Sequence, residues 1–408
     1  MKILKLVGII VASLFVLSAC NNKGDEDKLD QIILVSYELY TPNIEFNIAS
    51  VKALLSNPTY GMGALADKMK YDVQMYKITY KTLFEGDTIF VSGVVSLPVP
   101  LNKKETFPIL SYQHGTIVKK SDAPSENIDN EYMTYMASTG MVVAIADYVG
   151  FGESSSDFHP YMMNDYTVNA VLDMIRATKE LVSIENPFEL NGNLFMYGYS
   201  QGGSATLGAL SALENNKSNY KWNVTAAVCA AGAYDLAEMR KWIMKQTNFE
   251  QPYFVAYLLE SYSNYAQVSK DYSLVFNEEF ASKIPAMFDG KTSSEVINAQ
   301  FGTTHVGELF NDNFENDSIF NSDSVYAPLL AAFNQNKITA WPLTTSLSIH
   351  YGSDDIWVPG DQSLTLFKDF QANGSGAKVK LERFEGLNHV TAIPTSISKA
   401  MTWFLSFN

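Results

Sequence analysis

Ser200 stands in the hexapeptide Gly198-Tyr199-Ser200-Gln201-Gly202-Gly203, directly after the apolar run Leu194-Phe195-Met196-Tyr197 and at the head of a helix-period segment ending at Asn215. A strand that turns into a helix within two residues needs a sharp, strained turn. Such a turn has room only for small residues two places before and after its apex. Gly198 and Gly202 fill those places, and Gly203 lets the helix pack close to the sheet. The turn leaves the Ser200 hydroxyl exposed beside a helix N-terminus, whose unpaired N–H groups suit a developing oxyanion. A strand feeding a helix in this way belongs to a parallel sheet with crossover connections.

The rest of the chain carries the same alternation. Val73–Tyr80 and Ile89–Leu97, separated by Phe84-Glu85-Gly86-Asp87, read as an antiparallel hairpin at a sheet edge. Strands follow at Phe107–Tyr112, Met141–Asp147, Leu194–Tyr199, Val224–Ala230, Ser346–Tyr351 and Val379–Phe384. Helical patterns lie over Asn130–Ser138, Thr167–Ser183, Gly202–Asn215, Leu364–Asn373 and the C-terminal stretch to Phe407. The predicted fold is α/β: a mostly parallel sheet with an antiparallel N-terminal hairpin and helices on both faces. Residues 28–70 have mixed helical patterning and no recognisable chemistry. Residues 236–342 lack strong strand signals and are richer in aromatics than the chain's 13%. They read as a helical cap inserted into a core of residues 31–235 and 343–408, with helices at Leu236–Trp242, Pro252–Val268 and Phe276–Phe288 and an Asn/Asp-rich tail at 311–323. Its aromatics are as suited to packing within the cap as to contact with a substrate.

The N-terminus reads as an address. Lys2 and Lys5 precede the apolar run Leu6–Leu17, too short to span a bilayer, which ends in Leu17-Ser18-Ala19-Cys20. This resembles a bacterial lipobox, with residues 1–19 as signal peptide and Cys20 as the lipid-bearing residue. The acidic tether at residues 20–30 resembles the surface-export signal of Bacteroidota lipoproteins. The expected location is an exported protein held to the outer membrane, on its periplasmic face or at the cell surface, by lipid on Cys20. The formal net charge of −15 argues against a nucleic-acid partner. Two cysteines make neither a disulfide framework nor a thiolate zinc site, and no histidine pair has metal-ligand spacing, so no metal site is expected.

Three further loops carry chemistry. Gln113-His114-Gly115-Thr116 follows a strand, where a backbone N–H of such a loop can help bind an oxyanion. The Thr116 N–H is assigned that role beside the Gln201 N–H, and His114 reads as a loop anchor. Gly352-Ser353-Asp354-Asp355-Ile356-Trp357-Val358-Pro359 follows the strand at 346–351 and offers two adjacent aspartates able to orient a histidine. Gly386-Leu387-Asn388-His389 follows the strand at 379–384. The order serine, aspartate, histidine along the chain differs from those of chymotrypsin and subtilisin.

YQHGT (112–116), ADYVGFGES (146–154), HPY (159–161), GYSQGG (198–203), GSDDIWVP (352–359) and GLNH (386–389) together resemble the α/β-hydrolase superfamily, and within it the secretory lipase-like branch. The resemblance spans roughly residues 107–408. It implies the α/β-hydrolase fold, a triad of Ser200, Asp355 and His389, and a serine carboxylic ester hydrolase with no cofactor. The family pattern G-x-x-D-x-x-V-P puts the acid at Asp355 rather than Asp354. Asp147 and Tyr148 match a structural motif, and His159 reads as a loop anchor. The substrate class implied is a small-molecule or glycan ester. Two rival readings are a serine peptidase of the prolyl-oligopeptidase type and a surface binding lipoprotein that has lost activity. The first lacks the usual large N-terminal domain, and the second is at odds with a filled triad.

Overall fold

Nine strands form one sheet in the order β1-β2-β3-β5-β4-β6-β7-β8-β9 in a computed structural model, which describes residues 32–41, 47–57, 61–215 and 217–407. The strands are β1 (Leu34–Tyr40), β2 (Val73–Phe84), β3 (Asp87–Pro98), β4 (Thr106–Gln113), β5 (Val142–Ala146), β6 (Glu189–Tyr199), β7 (Ala226–Ala230), β8 (Ser346–Gly352) and β9 (Val379–Phe384). From β5 through β9 every pairing is parallel, and β1, β2 and β3 are antiparallel to their neighbours. The signal peptide, Cys20 and the acidic tether at residues 20–30 lie outside the described residues.

The hairpin turn has Phe84 opposite Asp87, with Glu85 and Gly86 both at positive φ (51° and 88°). That is the primed geometry that matches strand twist, and Gly86 adopts it without penalty. The hairpin does not end the sheet, however. β1, from a segment with no strand signal, pairs outside β2. Its periodicity is masked because Val35, Leu39 and Glu38 are all exposed, so apolar and polar positions do not alternate. The strand is anchored by tertiary contacts instead. The Glu180 carboxylate accepts from the Ile33 and Leu34 N–H groups (3.0 and 2.7 Å) and pairs with Arg176 (3.0 Å).

Helices Asn164–Glu185, Gln201–Glu214 and Gly360–Phe370 cover one face of the sheet, packing residues such as Val171, Leu207 and Phe370 onto Ile78, Val91 and Leu347. Helices Ile48–Ser56 and Ala392–Phe404 cover the other, with Leu55, Ile397 and Phe404 against Val94, Leu110 and Phe195. The stretch read as a helix at 130–138 is a 3₁₀ helix over Tyr132–Thr139, ended by Gly140 at φ 91°.

Between β7 and β8 the chain is helical: Leu236–Ile243, Pro252–Tyr265, a series of short turns, and Ala327–Asn336. The stretch 276–288 is two short helices, Glu278–Ala281 and Ile284–Met287, broken where Pro285 cannot donate to the helical ladder. These elements build their own apolar cluster around Phe249, Tyr262, Phe276 and Phe310. Both ends of the segment are tied together. Asp235 caps the first helix through the Ala237 and Glu238 N–H groups (3.1 Å each) and pairs with Lys337 (2.6 Å), while the Ile338 N–H donates to the Tyr234 carbonyl (3.0 Å).

Glu180→Ala should unpair the Ile33 and Leu34 amides at the head of β1 and release that strand locally, at a cost of about 1–3 kcal/mol. Hydrogen exchange should speed up in residues 33–40 and stay unchanged in β4 and β6. Unaltered β1 exchange would refute the anchoring role.

Candidate active site

Parallel register brings the C-terminal ends of the central strands to one edge. Gln113 of β4 lies opposite Gly198 of β6, Tyr199 opposite Ala230 of β7, Ala230 opposite His350 of β8, and Gly352 opposite Phe384 of β9. The loops that leave those ends carry His114–Thr116, Ser200, Ser353–Val358 and Glu385–His389. Four segments far apart in sequence therefore meet at the crevice edge of an open α/β sheet.

Ser200 sits at φ 59°, ψ −122°, a conformation disfavoured for a residue with a side chain. Close backbone packing enforces it. The Ser200 N–H donates to the Ala230 carbonyl (2.8 Å), and the Gly203 and Ser204 N–H groups return to the Ser200 carbonyl (2.9 and 3.3 Å). A Cβ on Gly198 would strike the Gly202 carbonyl, and one on Gly202 would strike the Gln113 and His114 carbonyls. Gly203 meets the Ala230 carbonyl in the same way.

The Ser200 Oγ is 2.9 Å from His389 Nε2, and His389 Nδ1 is 2.6 Å from Asp355 Oδ2. Asp355 Oδ1 accepts from the Trp357 and Val358 N–H groups (3.0 and 2.9 Å). Both His389 and Asp355 are buried. Asp354 is exposed and takes the Ser353 hydroxyl (2.8 Å). The Tyr199 hydroxyl donates to the His389 carbonyl (2.7 Å), and the Trp357 ring lies 5.3 Å from the imidazole at a tilt of 36°. The arrangement has a hydroxyl, a base within reach of its proton, and an acid that selects the base's tautomer.

Gly115 lies against the same turn, its Cβ position 3.5 Å from the Tyr199 carbonyl and 3.8 Å from Ser200 Cβ. The Thr116 N–H that follows makes no hydrogen bond among the described residues. Its hydroxyl bonds to the Tyr161 hydroxyl (2.9 Å). His114 anchors this loop. Its ring nitrogens face the Gly115 and Asp147 carbonyls (2.7 and 3.2 Å), and it stacks on Tyr148 at 4.0 Å. Asp147 is buried and accepts from Ser92 Oγ (2.6 Å) and from the Ser125 N–H and Oγ (2.8 and 2.5 Å).

His159 has a role beyond anchoring its own loop. Its Nδ1 meets the Val149 carbonyl (2.7 Å) and its Nε2 meets the Gln201 amide nitrogen (2.8 Å). Nδ1 therefore carries the proton, and Nε2 accepts from the residue next to Ser200. Burial pushes this imidazole down to about 3. His350, buried between Ser348 and Ser396, is lowered to about the same value by burial. No group of His, Cys, Asp and Glu able to hold a metal occurs among the described residues.

An apolar cavity of about 80 Å³ opens on Ser200 and Gln201, walled by Met239, Ile243, Phe249, Leu258 and Trp357 among others. Sequence patterning could not separate lining from packing in the 236–342 segment. Phe249, Phe254, Phe314 and Phe333 line the cavity, whereas Phe276, Phe301 and Phe310 pack among themselves. Arg240 also reaches the wall, but its charge is satisfied by Asp317 (2.7 Å), the Phe314 carbonyl and the Phe320 ring. A second, polar cleft is lined by Thr116, Gln251, Ser294, Asn298, Thr303 and Trp357.

A profile of secretory lipases matches residues 120–406. The chain belongs to the secretory lipase family. Solved structures agree in fold. A Legionella pneumophila protein is 24% identical with a TM-score of 0.80, covering 92% of this chain and 98% of its own. The rice cell wall degrading esterase LipA from Xanthomonas oryzae is 22% identical with a TM-score of 0.77, covering 92% and 98%. Candida antarctica lipase A in its closed state is 16% identical with a TM-score of 0.60, covering 91% and 82%. No curated protein sequence matches. This secretory lipase family member is a hydrolase of the lipase and esterase kind with the α/β-hydrolase fold. Membership of a secretory family points to export, and no helix among the described residues is long and apolar enough to cross a membrane.

Asp355→Asn should cut turnover by roughly four orders of magnitude, because the imidazole loses the partner that sets its tautomer. Asp354→Asn, at an exposed carboxylate, should stay within a few-fold of the parent. Parallel kcat measurements test the pair, and equal losses would overturn the assignment.

Between pH 6.5 and about 3 the unfolded chain binds a proton at His159 that the folded protein refuses. Stability should therefore fall as pH drops through that window, by about 1.4 kcal/mol per pH unit from this group. His159→Gln removes that contribution, so its loss of stability from pH 7 to pH 4.5, by urea unfolding, should be smaller. An identical loss would contradict a neutral, buried His159.

Proposed function

We propose that this secretory lipase family member hydrolyses carboxylic esters through an acyl-enzyme on Ser200. The observation that carries the reading is the continuous chain from Ser200 Oγ through His389 to Asp355, at 2.9 and 2.6 Å, beside an apolar cavity. Neutral His389 takes the Ser200 proton at Nε2 as the oxygen attacks the ester carbonyl. The Gln201 and Thr116 N–H groups receive the tetrahedral oxyanion. The first N–H of a helix has no earlier helical carbonyl to bond, and the Thr116 N–H is also unpaired among the described residues. Asp355 holds the Nδ1 proton and stabilises the imidazolium. His389 then gives its Nε2 proton to the leaving alkoxide. A water attacks the acyl-enzyme by the same route and frees Ser200.

The apolar cavity suits an acyl chain, since each buried methylene contributes about 0.8 kcal/mol. The polar cleft beside Thr116 suits a hydroxyl-bearing alcohol, such as a glycan ester would present. The Xanthomonas relative is described as degrading rice cell wall, which is compatible with that class.

A fluorophosphonate probe should label wild type and leave Ser200→Ala unlabelled. The variant should lose turnover by about a million-fold. On p-nitrophenyl esters, kcat/KM should climb a few-fold per added carbon and fall once the cavity is full. Substantial turnover by Ser200→Ala would overturn the nucleophile.

A further inference from the structure

Trp357 lines both the apolar cavity and the polar cleft. It follows the orienting acid by two residues, and its backbone N–H bonds to Asp355 Oδ1 (3.0 Å). Its ring lies against the His389 imidazole, with Phe254 on the apolar side at 6.3 Å. On the other side its Nε1–H donates to the Glu250 carboxylate (3.2 Å), just before Gln251 of the polar cleft. One flat side chain is thus fixed at three points: its backbone by the acid, its face by the base, and its edge by a carboxylate on the helical segment. A wall at this place stands between the cavity that opens on Ser200 and the cleft that begins at Thr116.

We infer that Trp357 is a specificity-determining residue that partitions the ester. It keeps an apolar acyl chain on the cavity side and confines the alcohol to the polar cleft, so that hydroxyl-rich alcohols are accepted and long apolar alcohols are refused. The inference rests on the esterase reading above. Refusal is steric: an apolar alcohol cannot share the cavity with the acyl chain while the indole stands between them, and in the cleft it would desolvate polar groups without replacing their hydrogen bonds. Glu250 keeps the indole upright, so its effect on selectivity passes through Trp357.

The test compares two butanoate esters, glycerol monobutyrate and hexyl butyrate, by their ratio of kcat/KM. Alongside runs the p-nitrophenyl series from acetate to octanoate. Both ratios come from one enzyme sample, so a variant that is partly unfolded still reports them. Wild type should favour the glycerol ester. Trp357→Ala opens the wall and should lower that preference about tenfold, mainly through gain on hexyl butyrate, with the rank order of acyl lengths unchanged. Trp357→Phe keeps a flat ring but loses the tie to Glu250 and should fall between. Glu250→Ala should shift the ratio in the same direction as Trp357→Ala, and Glu250→Gln, which retains an acceptor for the indole N–H, should restore it. Glu250 lies at the exposed rim, so its variants do not depend on the core tolerating a cavity. An alcohol ratio within twofold of wild type in both Trp357→Ala and Glu250→Ala would overturn the inference. So would an altered acyl rank order with an unchanged alcohol ratio. Absence of ester hydrolysis by wild type would instead strike the esterase reading, which the fluorophosphonate label checks separately.

Discussion

The close approach of two backbones around Ser200 is the contact on which the rest of the site depends. Gly202 lies against the carbonyls that end β4, and Gly203 against the carbonyl that ends β7. That packing holds Ser200 at a positive φ of 59°, which an isolated turn would relax. It also brings the start of the Gln201–Glu214 helix beside the loop that carries Gly115, whose Cβ position lies 3.8 Å from Ser200 Cβ. Side chains reinforce the alignment. Gln113 accepts from Thr206 on the helix (2.6 Å) and donates to Ser111 on its own strand (2.7 Å).

A set of buried polar groups braces the loops behind this edge. Asp147 gathers Ser92 and Ser125, His114 bridges Gly115 and Asp147, and His159 joins Val149 to Gln201. The Asp147 carboxylate and His159 Nε2 have donors at hydrogen-bond distance, which offsets the desolvation of burying them. Such networks specify one loop geometry because a shifted loop would strand several polar groups at once. Burial lowers the pKa of both histidines in it, whereas the Nε2 of His389 faces Ser200 and its Nδ1 faces Asp355.

The helical segment between β7 and β8 completes the site from the opposite side. It carries its own apolar cluster and is clasped at both ends by Asp235, Lys337 and the Tyr234–Ile338 backbone bond. A self-supporting element of this kind can vary its lining without disturbing the sheet. The apolar cavity is drawn mainly from it, whereas Ser200, Asp355 and His389 sit on loops that leave the sheet.

Sequence alone determined the parts of this protein that depend on local geometry. The elbow was legible around Ser200 because a tight turn tolerates no side chain at Gly198 and Gly202, and much of the strand–helix alternation was legible because β5, β7 and the C-terminal half of β6 are buried and so read as apolar runs. The family pattern singled out Asp355 over Asp354, although both are aspartates in one loop. Their separation in space, one beneath His389 and one in solvent, arises only when β8 and β9 pair and bring the two loops together. β1 was invisible because its pairing rests on Glu180, 146 residues away from Leu34, rather than on its own periodicity. The roles of His159 and Trp357 were likewise undecidable from their neighbours in the chain. Each acts through a group that only the tertiary fold delivers: the Gln201 side chain in one case, the His389 ring and the Glu250 carboxylate in the other.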